Sequence, residues 1–216
     1  GSIRWRFRPD TVVFNFLAAI IDSSLVFADS SGRVYRLDLD DGRVLWKFDA
    51  TSLSDFTTGG AIVGPNRVVY VTSNVGNYGS VQRAQGYGRL TALSLDTGVR
   101  LWYQDTELLS NNAPAVGRLH PSGGGELSVV VGVGENPDMP PQRPGRKVGS
   151  VVAFDASTGS RLDWSYSPPV WGSTAAAGDA PTVVCMPDAF SNPSIGGDGT
   201  VYIGFLNGHL YAMRDA

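Results

Sequence analysis

Four similar segments recur along this chain, and this internal repeat restricts its fold more than any other feature. Each segment contains a strand led by a glycine, and in the first three a second glycine follows ten residues later, inside a turn rich in Asp, Ser and Thr. These side chains accept backbone hydrogen bonds in tight turns, and glycine adopts positive φ without a steric penalty. The repeat therefore predicts a series of similar β-hairpins. The leading glycines are Gly32, Gly88, Gly149 and Gly208, and the turn glycines are Gly42, Gly98 and Gly159.

A tryptophan follows each turn glycine, four residues later in the first two segments and five residues later in the third. The start of the chain repeats this spacing, because Gly1 precedes Trp5 by four residues. There Ile3, Trp5 and Phe7 alternate with arginines, which is the period of a strand with one buried face. We therefore predict that residues 3–8 form the last strand of a repeat. The tryptophans at these positions are Trp5, Trp46, Trp102 and Trp164.

Two more short segments with strand character precede each glycine-led strand, so each repeat has four predicted antiparallel strands. No segment carries a convincing 3.6-residue apolar period, which argues against a helical fold. The high counts of glycine and proline, 27 and 13, suit short strands joined by tight turns. We predict an all-β fold, a single β-propeller region over residues 1–216 built from four-stranded antiparallel blades. Its approximate blades are 17–49, 59–104, 112–167 and 191–216, the last of them incomplete.

The segment Ala92–Trp102 reads A-x-S-x-x-T-G-x-x-x-W and resembles the tryptophan-docking motif of the pyrroloquinoline-quinone-type propellers, with Ser94 in place of the family's aspartate. Residues 153–164 match the motif with one inserted residue, and residues 198–212 resemble the family's last run. The resemblance covers nearly the whole chain. It implies that each motif tryptophan packs against the neighbouring blade as a structural staple. It does not imply one function, because such blades occur in quinone-dependent dehydrogenases, in noncatalytic outer-membrane assembly lipoproteins and in luminal stress sensors.

The number of blades in the complete ring has two interpretations. Relatives in this family mostly have seven or eight blades, so we expect these four to belong to a larger ring. The alternative is a closed four-bladed ring, in which residues 3–8 supply the missing strand of the last blade. Closure of either kind would remove the exposed sheet edges that favour aggregation.

Charge, apolar runs and cysteine count argue against nucleic-acid binding, a membrane span and an internal disulfide. The formal net charge is −3 and most basic residues are scattered, so a nucleic-acid-binding surface is not expected. The longest apolar run, Val12–Ile21, is interrupted by Asn15 and is too short to span a bilayer. A single cysteine, Cys185, permits no disulfide within the chain.

Most long connections between the predicted strands leave one face of the propeller, and such connections often carry binding residues. Residues 135–144 are rich in proline, which favours either an extended recognition segment or a solvated spacer. Trp171 either anchors a partner, as interface aromatics do, or folds back over a blade end. The predicted partner-binding residues are Trp171, Pro169, Pro140, Pro141 and Arg143. The long connections are Ser73–Tyr87, Asp105–Ser110, Glu135–Val148 and Ser167–Phe190.

We predict a noncatalytic scaffold that binds another protein, as a subunit of a larger assembly. One alternative is a fragment of a quinone- and calcium-dependent dehydrogenase, and another is a luminal sensor that self-associates. No catalytic, cofactor-binding or metal-binding residue is predicted, because the six to eight oxygen ligands of a calcium site cannot be assembled and His120 and His209 are isolated. The resemblance implies an extracytoplasmic, secretory or organelle-lumen location.

Overall fold

The computed structural model describes residues 1–13, 16–50, 55–76, 86–120, 125–135, 148–170 and 190–214. These residues form β-strands in four antiparallel sheets and contain no helix. Within each sheet, consecutive strands of the main path are hydrogen-bonded neighbours. The all-β propeller architecture expected from the repeat is confirmed.

Blades 1 and 2 contain the first nine strands. In blade 1 the order is β1 to β4, and in blade 2 the main path runs β5-β7-β8-β9, with β6 paired to β7. The strands of blade 1 are β1 (Ala19–Ile21), β2 (Ser24–Ala28), β3 (Val34–Asp38) and β4 (Val44–Phe48). Those of blade 2 are β5 (Asp55–Phe56), β6 (Ala61–Val63), β7 (Val68–Gly76), β8 (Gly86–Ser94) and β9 (Arg100–Thr106).

Blades 3 and 4 repeat the same path. Blade 3 has four strands, and blade 4 has three within the described residues. Residues 3–8, predicted to be the last strand of a blade, belong to none of the described sheets. The strands of blade 3 are β10 (Ala115–Arg118), β11 (Leu127–Glu135), β12 (Val148–Asp155) and β13 (Arg161–Tyr166), and those of blade 4 are β14 (Ser194–Ile195), β15 (Val201–Gly204) and β16 (Leu210–Met213).

The apolar core is divided into layers between consecutive blades. Because side chains alternate along a strand, each blade has one face toward the preceding blade and one toward the next. In β8, Leu90 and Ala92 pack with blade 3, whereas Leu93 packs with blade 1. A third layer joins blades 3 and 4, and a fourth packs Trp5 and Phe7 against blade 1.

The central strands of blades 2 and 3 are longer than predicted. The pairing of β7 with β8 continues to Gly76 and Gly86, and that of β11 with β12 to Glu135 and Val148. The sequence pattern places the ends of these strands in the connections Ser73–Tyr87 and Glu135–Val148. Asn74 is nevertheless fully buried, since the connection after β9 covers it and its amide oxygen accepts the Ser110 N–H at 2.7 Å.

Candidate functional site

The motif tryptophans occupy equivalent positions between blades. The indole Nε1 of Trp46 donates to the Leu95 carbonyl of blade 2 at 2.7 Å. The Nε1 of Trp102 donates to the Ala156 carbonyl of blade 3 at 3.2 Å. Trp5 makes the same bond to Leu39 of blade 1 at 2.8 Å. Trp164 packs against the apolar layer between blades 3 and 4, which includes Ile203 and Met213.

The turn glycines receive these indole rings. Gly42, Gly98 and Gly159 have φ of +74°, +69° and +75°, which strains any residue with a Cβ. A Cβ on Gly98 would lie 2.7 Å from the ring of Trp46. Glycine is therefore required here for two reasons: the turn needs positive φ, and the tryptophan of the preceding blade packs directly against the backbone. This docking arrangement is repeated three times in the described part of the chain.

Cross-strand polar pairs lie in three blades, where the third strand begins and the fourth strand ends. Arg33 donates to Asp49 at 3.1 Å in blade 1. Arg89 donates to Asp105 at 2.6 Å in blade 2. In blade 3 the hydroxyls of Ser150 and Ser167 lie 2.7 Å apart at the equivalent positions. In blades 1 and 2 these pairs balance an arginine with a carboxylate.

Asp29, Tyr35 and Asp49 of blade 1 also take part in hydrogen bonds within the blade. A hydrogen bond from Lys47 is the largest influence that lowers the pKa of Asp49. Burial raises the pKa of Tyr35 to about 12, and its hydroxyl donates to the buried Asp29 at 3.0 Å. At neutral pH Tyr35 is therefore protonated and Asp49 is ionised, as their hydrogen bonds require.

Of the predicted partner-binding residues, the described part of the chain includes Pro169 alone. Pro169 is exposed beside buried Pro168, and the neighbouring Val170 is 45% exposed. Trp171, Pro140, Pro141 and Arg143 lie outside the described residues.

Both ends of the connection 167–190 are fixed to the blades. At its start, Ser167 pairs with Ser150 of β12. At its end, Phe190 is buried against Gly132 and Gly149 of blade 3, and a Cβ on either glycine would clash with it. The ring centroid of Phe190 lies 4.8 Å from that of Phe205 in blade 4. Ser167 and Phe190, which flank residues 171–189, are therefore attached to blades 3 and 4.

Sequence reasoning missed a buried polar network between blades 2 and 3. The Asn111 side chain accepts a hydrogen bond from the Thr58 N–H at 2.7 Å and donates to the Thr58 hydroxyl. Asn112 donates to the Gly132 carbonyl at 2.8 Å. A related bond reaches blade 4, where the side chain of exposed Asn192 accepts the Ala113 N–H at 2.8 Å. The sequence feature that could have indicated this network is the run Ser110–Asn112 before β10, because small polar side chains favour hydrogen bonds to nearby backbone groups.

Across the described ranges, no group of three or more His, Cys, Asp or Glu side chains is placed to hold a metal ion. The carboxylate of Asp155 accepts bonds from Ser157 and Thr158 in its own turn. The described residues include no helix with the length and apolar character to cross a membrane.

Comparison with protein families and solved structures places this geometry among known propellers. A family model described as outer membrane protein assembly factor BamB matches residues 1–216. No curated protein matches the chain significantly.

Three solved structures show the fold. A quinohemoprotein alcohol dehydrogenase from Pseudomonas putida HK5 is similar with a TM-score of 0.60 and 21% identity, over 94% of this chain and 30% of that one. A europium-containing methanol dehydrogenase has a TM-score of 0.52 and 17% identity, over 76% of this chain and 36% of that one. The computationally designed Ika4 protein has a TM-score of 0.55 and 13% identity, over 100% of this chain and 99% of that one. The chain spans about a third of the length of the two dehydrogenases.

Proposed function

The chain belongs to the family of the outer membrane protein assembly factor BamB, and from this membership we propose that it is a noncatalytic propeller region that binds another protein through its loop face. The loop face is the side of the blades at which β7, β9, β11 and β13 end and β8 and β12 begin. We place the protein in an extracytoplasmic compartment, as a subunit of a larger assembly.

The observation that supports this proposal is the fixed attachment of the connection 167–190. Its two ends are attached to the blades by the Ser150–Ser167 pair and by buried Phe190, so a partner-binding segment here would have both ends anchored. Rigid attachment lowers the entropy that binding must overcome. The exposed Pro169 and Val170 place apolar surface at the start of this segment. An aromatic side chain at Trp171 would supply the kind of anchor that dominates many interfaces.

Site-specific crosslinking tests the proposed face. A photoreactive amino acid at Trp171 or Pro140 should give a discrete crosslinked protein in cells that produce the chain. The same amino acid at Thr97, in an exposed turn on the opposite face, should not. Equal products from Thr97 and Trp171, or none from Trp171 and Pro140, would contradict the proposal.

Reconstitution separates the scaffold from the dehydrogenase alternative. We expect that adding pyrroloquinoline quinone and calcium gives neither saturable quinone binding nor dye-linked alcohol oxidation. Saturable quinone binding together with turnover would instead establish the dehydrogenase function.

A further inference from the structure

Among the described fourth strands of the blades, β9 has the longest regular edge. It pairs with β8 without interruption over five residues, from Trp102 to Thr106. The uninterrupted pairing next to the motif tryptophan covers three residues in β4, Trp46 to Phe48, and two in β13, Ser165 and Tyr166. No described strand pairs with the other edge of β9, which is the last strand of its sheet. The Asp105 carbonyl accepts the Gln104 side-chain N–H at 3.2 Å. The other outward-facing backbone donors and acceptors of β9 are available to another strand.

Two large side chains of β9, Leu101 and Tyr103, are exposed beside this edge, and at the second position the neighbouring blade carries a charge. Leu101 is 54% exposed and Tyr103 is 47% exposed. The position after the motif tryptophan, Tyr103 in β9, is Lys47 in β4, and Lys47 binds Asp10 and Asp49 at 2.5 and 3.0 Å. Charged side chains on an edge strand oppose unwanted pairing. This protection is present in β4 and missing from the equivalent position of β9.

A positive charge lies beside this apolar surface. The Arg100 guanidinium is 5.0 Å from the centroid of the Tyr103 ring, and that of Arg89 is 4.4 Å from it. Arg89 is balanced by Asp105, with which it forms two hydrogen bonds of 2.6 and 3.1 Å. No carboxylate of the described ranges forms an ion pair with Arg100. The edge thus combines a backbone ladder, an aromatic ring and a cation that can accept a carboxylate partner.

From these three observations we propose that the free edge of β9 is a strand-addition site for an extended segment of a partner protein. The segment carries alternating apolar residues and a carboxylate that reaches Arg100. Main-chain hydrogen bonds to Trp102–Thr106 give affinity, and side chains facing Leu101 and Tyr103 give specificity. This site lies on the fourth strand of blade 2, so it is additional to the proposed loop face.

A synthetic strand tests the backbone part of the proposal. The probe is a capped six-residue peptide that alternates valine with threonine and ends in glutamate. Titrated into the 15N-labelled 216-residue chain, it should give saturable amide shifts centred on Trp102–Thr106. Methylating the amides of the valines or of the threonines blocks one peptide edge at a time. One methylated peptide should bind at least tenfold more weakly than the other, and equal binding would overturn the proposal.

Substitutions test the side-chain part. Tyr103→Lys reproduces the residue of β4 at the same repeat position, and should weaken the peptide at least tenfold without lowering the melting temperature. The matched control Leu45→Lys, on β4, should change affinity less than twofold. Arg100→Glu should weaken the glutamate peptide and strengthen one that ends in lysine.

Two results would overturn the strand-addition site. One is a peptide that fails to saturate at millimolar concentration. The other is a folded Tyr103→Lys variant whose affinity stays within twofold of the unmodified chain. Trp171→Ala separates the two surfaces, since it should leave peptide binding intact even if crosslinking at the loop face fails. Loss of peptide binding in Trp171→Ala would assign the peptide to the loop face and reject the β9 site.

Discussion

At the residue scale, Trp102 combines two kinds of stabilisation. Its ring fills the space over Gly159, and its Nε1 donates to the Ala156 carbonyl. That carbonyl also accepts the Tyr70 hydroxyl at 2.9 Å, so it keeps a partner when the indole is removed. Most of the contribution of Trp102 should therefore come from packing, with the hydrogen bond as a smaller term.

Two substitutions of Trp102 separate these contributions. Trp102→Ala should destabilise the chain by about 3–5 kcal/mol because it leaves a cavity between blades 2 and 3. Trp102→Phe keeps an aromatic ring and should cost about half as much or less. Urea unfolding followed by circular dichroism measures both. Equal losses would show that the hydrogen bond, rather than the ring, carries the stability. Trp171→Ala, outside the motif, should change stability much less than Trp102→Ala.

Asp155 should make folding stability depend on pH. The Ser157 hydroxyl is the largest influence that lowers the pKa of Asp155, so the folded form binds fewer protons than the unfolded one. Its contribution is present above the unfolded pKa of about 3.9 and is lost as the pH falls toward the folded pKa. Asp155→Asn should therefore be less stable than the unmodified chain at pH 7, with a smaller difference near pH 3. A difference that stays constant between these pH values would contradict this role.

At the element scale, the connection between blades 2 and 3 is held by buried asparagines. Asn111→Ala removes the side-chain acceptor of the Thr58 N–H and should cost about 1–3 kcal/mol, because the buried Asn111 side chain links the two segments. Asn66→Ala is the control, since exposed Asn66 bonds the Tyr70 hydroxyl at a surface turn and its loss should cost about 0.5 kcal/mol or less. Hydrogen exchange of the Thr58 amide should accelerate in Asn111→Ala alone. Unchanged exchange there would show that the loop is held by its other contacts.

At the scale of the whole molecule, stability is distributed over four layers of apolar side chains, and each layer joins neighbouring elements. Far-ultraviolet circular dichroism should show β-structure with almost no helix, and a helix content above about a fifth would contradict the all-β fold.

The 216-residue chain, studied by itself, should not behave as a monomer. Residues 3–8 belong to no described sheet, and one edge of the last strand β16 pairs with no described strand. Leu210 on β16 is 74% exposed. Exposed edges and apolar surface favour association. Light scattering should therefore give a mass above the 22.9 kDa of one chain. A monomer that persists on dilution would support the closed four-bladed ring.

The local features of each blade could be read from the sequence because they depend on neighbours along the chain. Positive φ at Gly98 follows from its turn, and the strand alternation around Trp102 follows from successive side chains. The family motif added the expectation that tryptophans face the next blade. These features determine the repeat unit and the all-β class.

Only the tertiary structure decided which groups meet across blades. Trp46 donates to Leu95, 49 residues away, and Asn111 meets Thr58, 53 residues away. The burial of Asn74 and the regular edge of β9 also depend on how far neighbouring strands and connections extend. No local pattern specifies these contacts, because their free energy depends on the packing of residues that are distant along the chain.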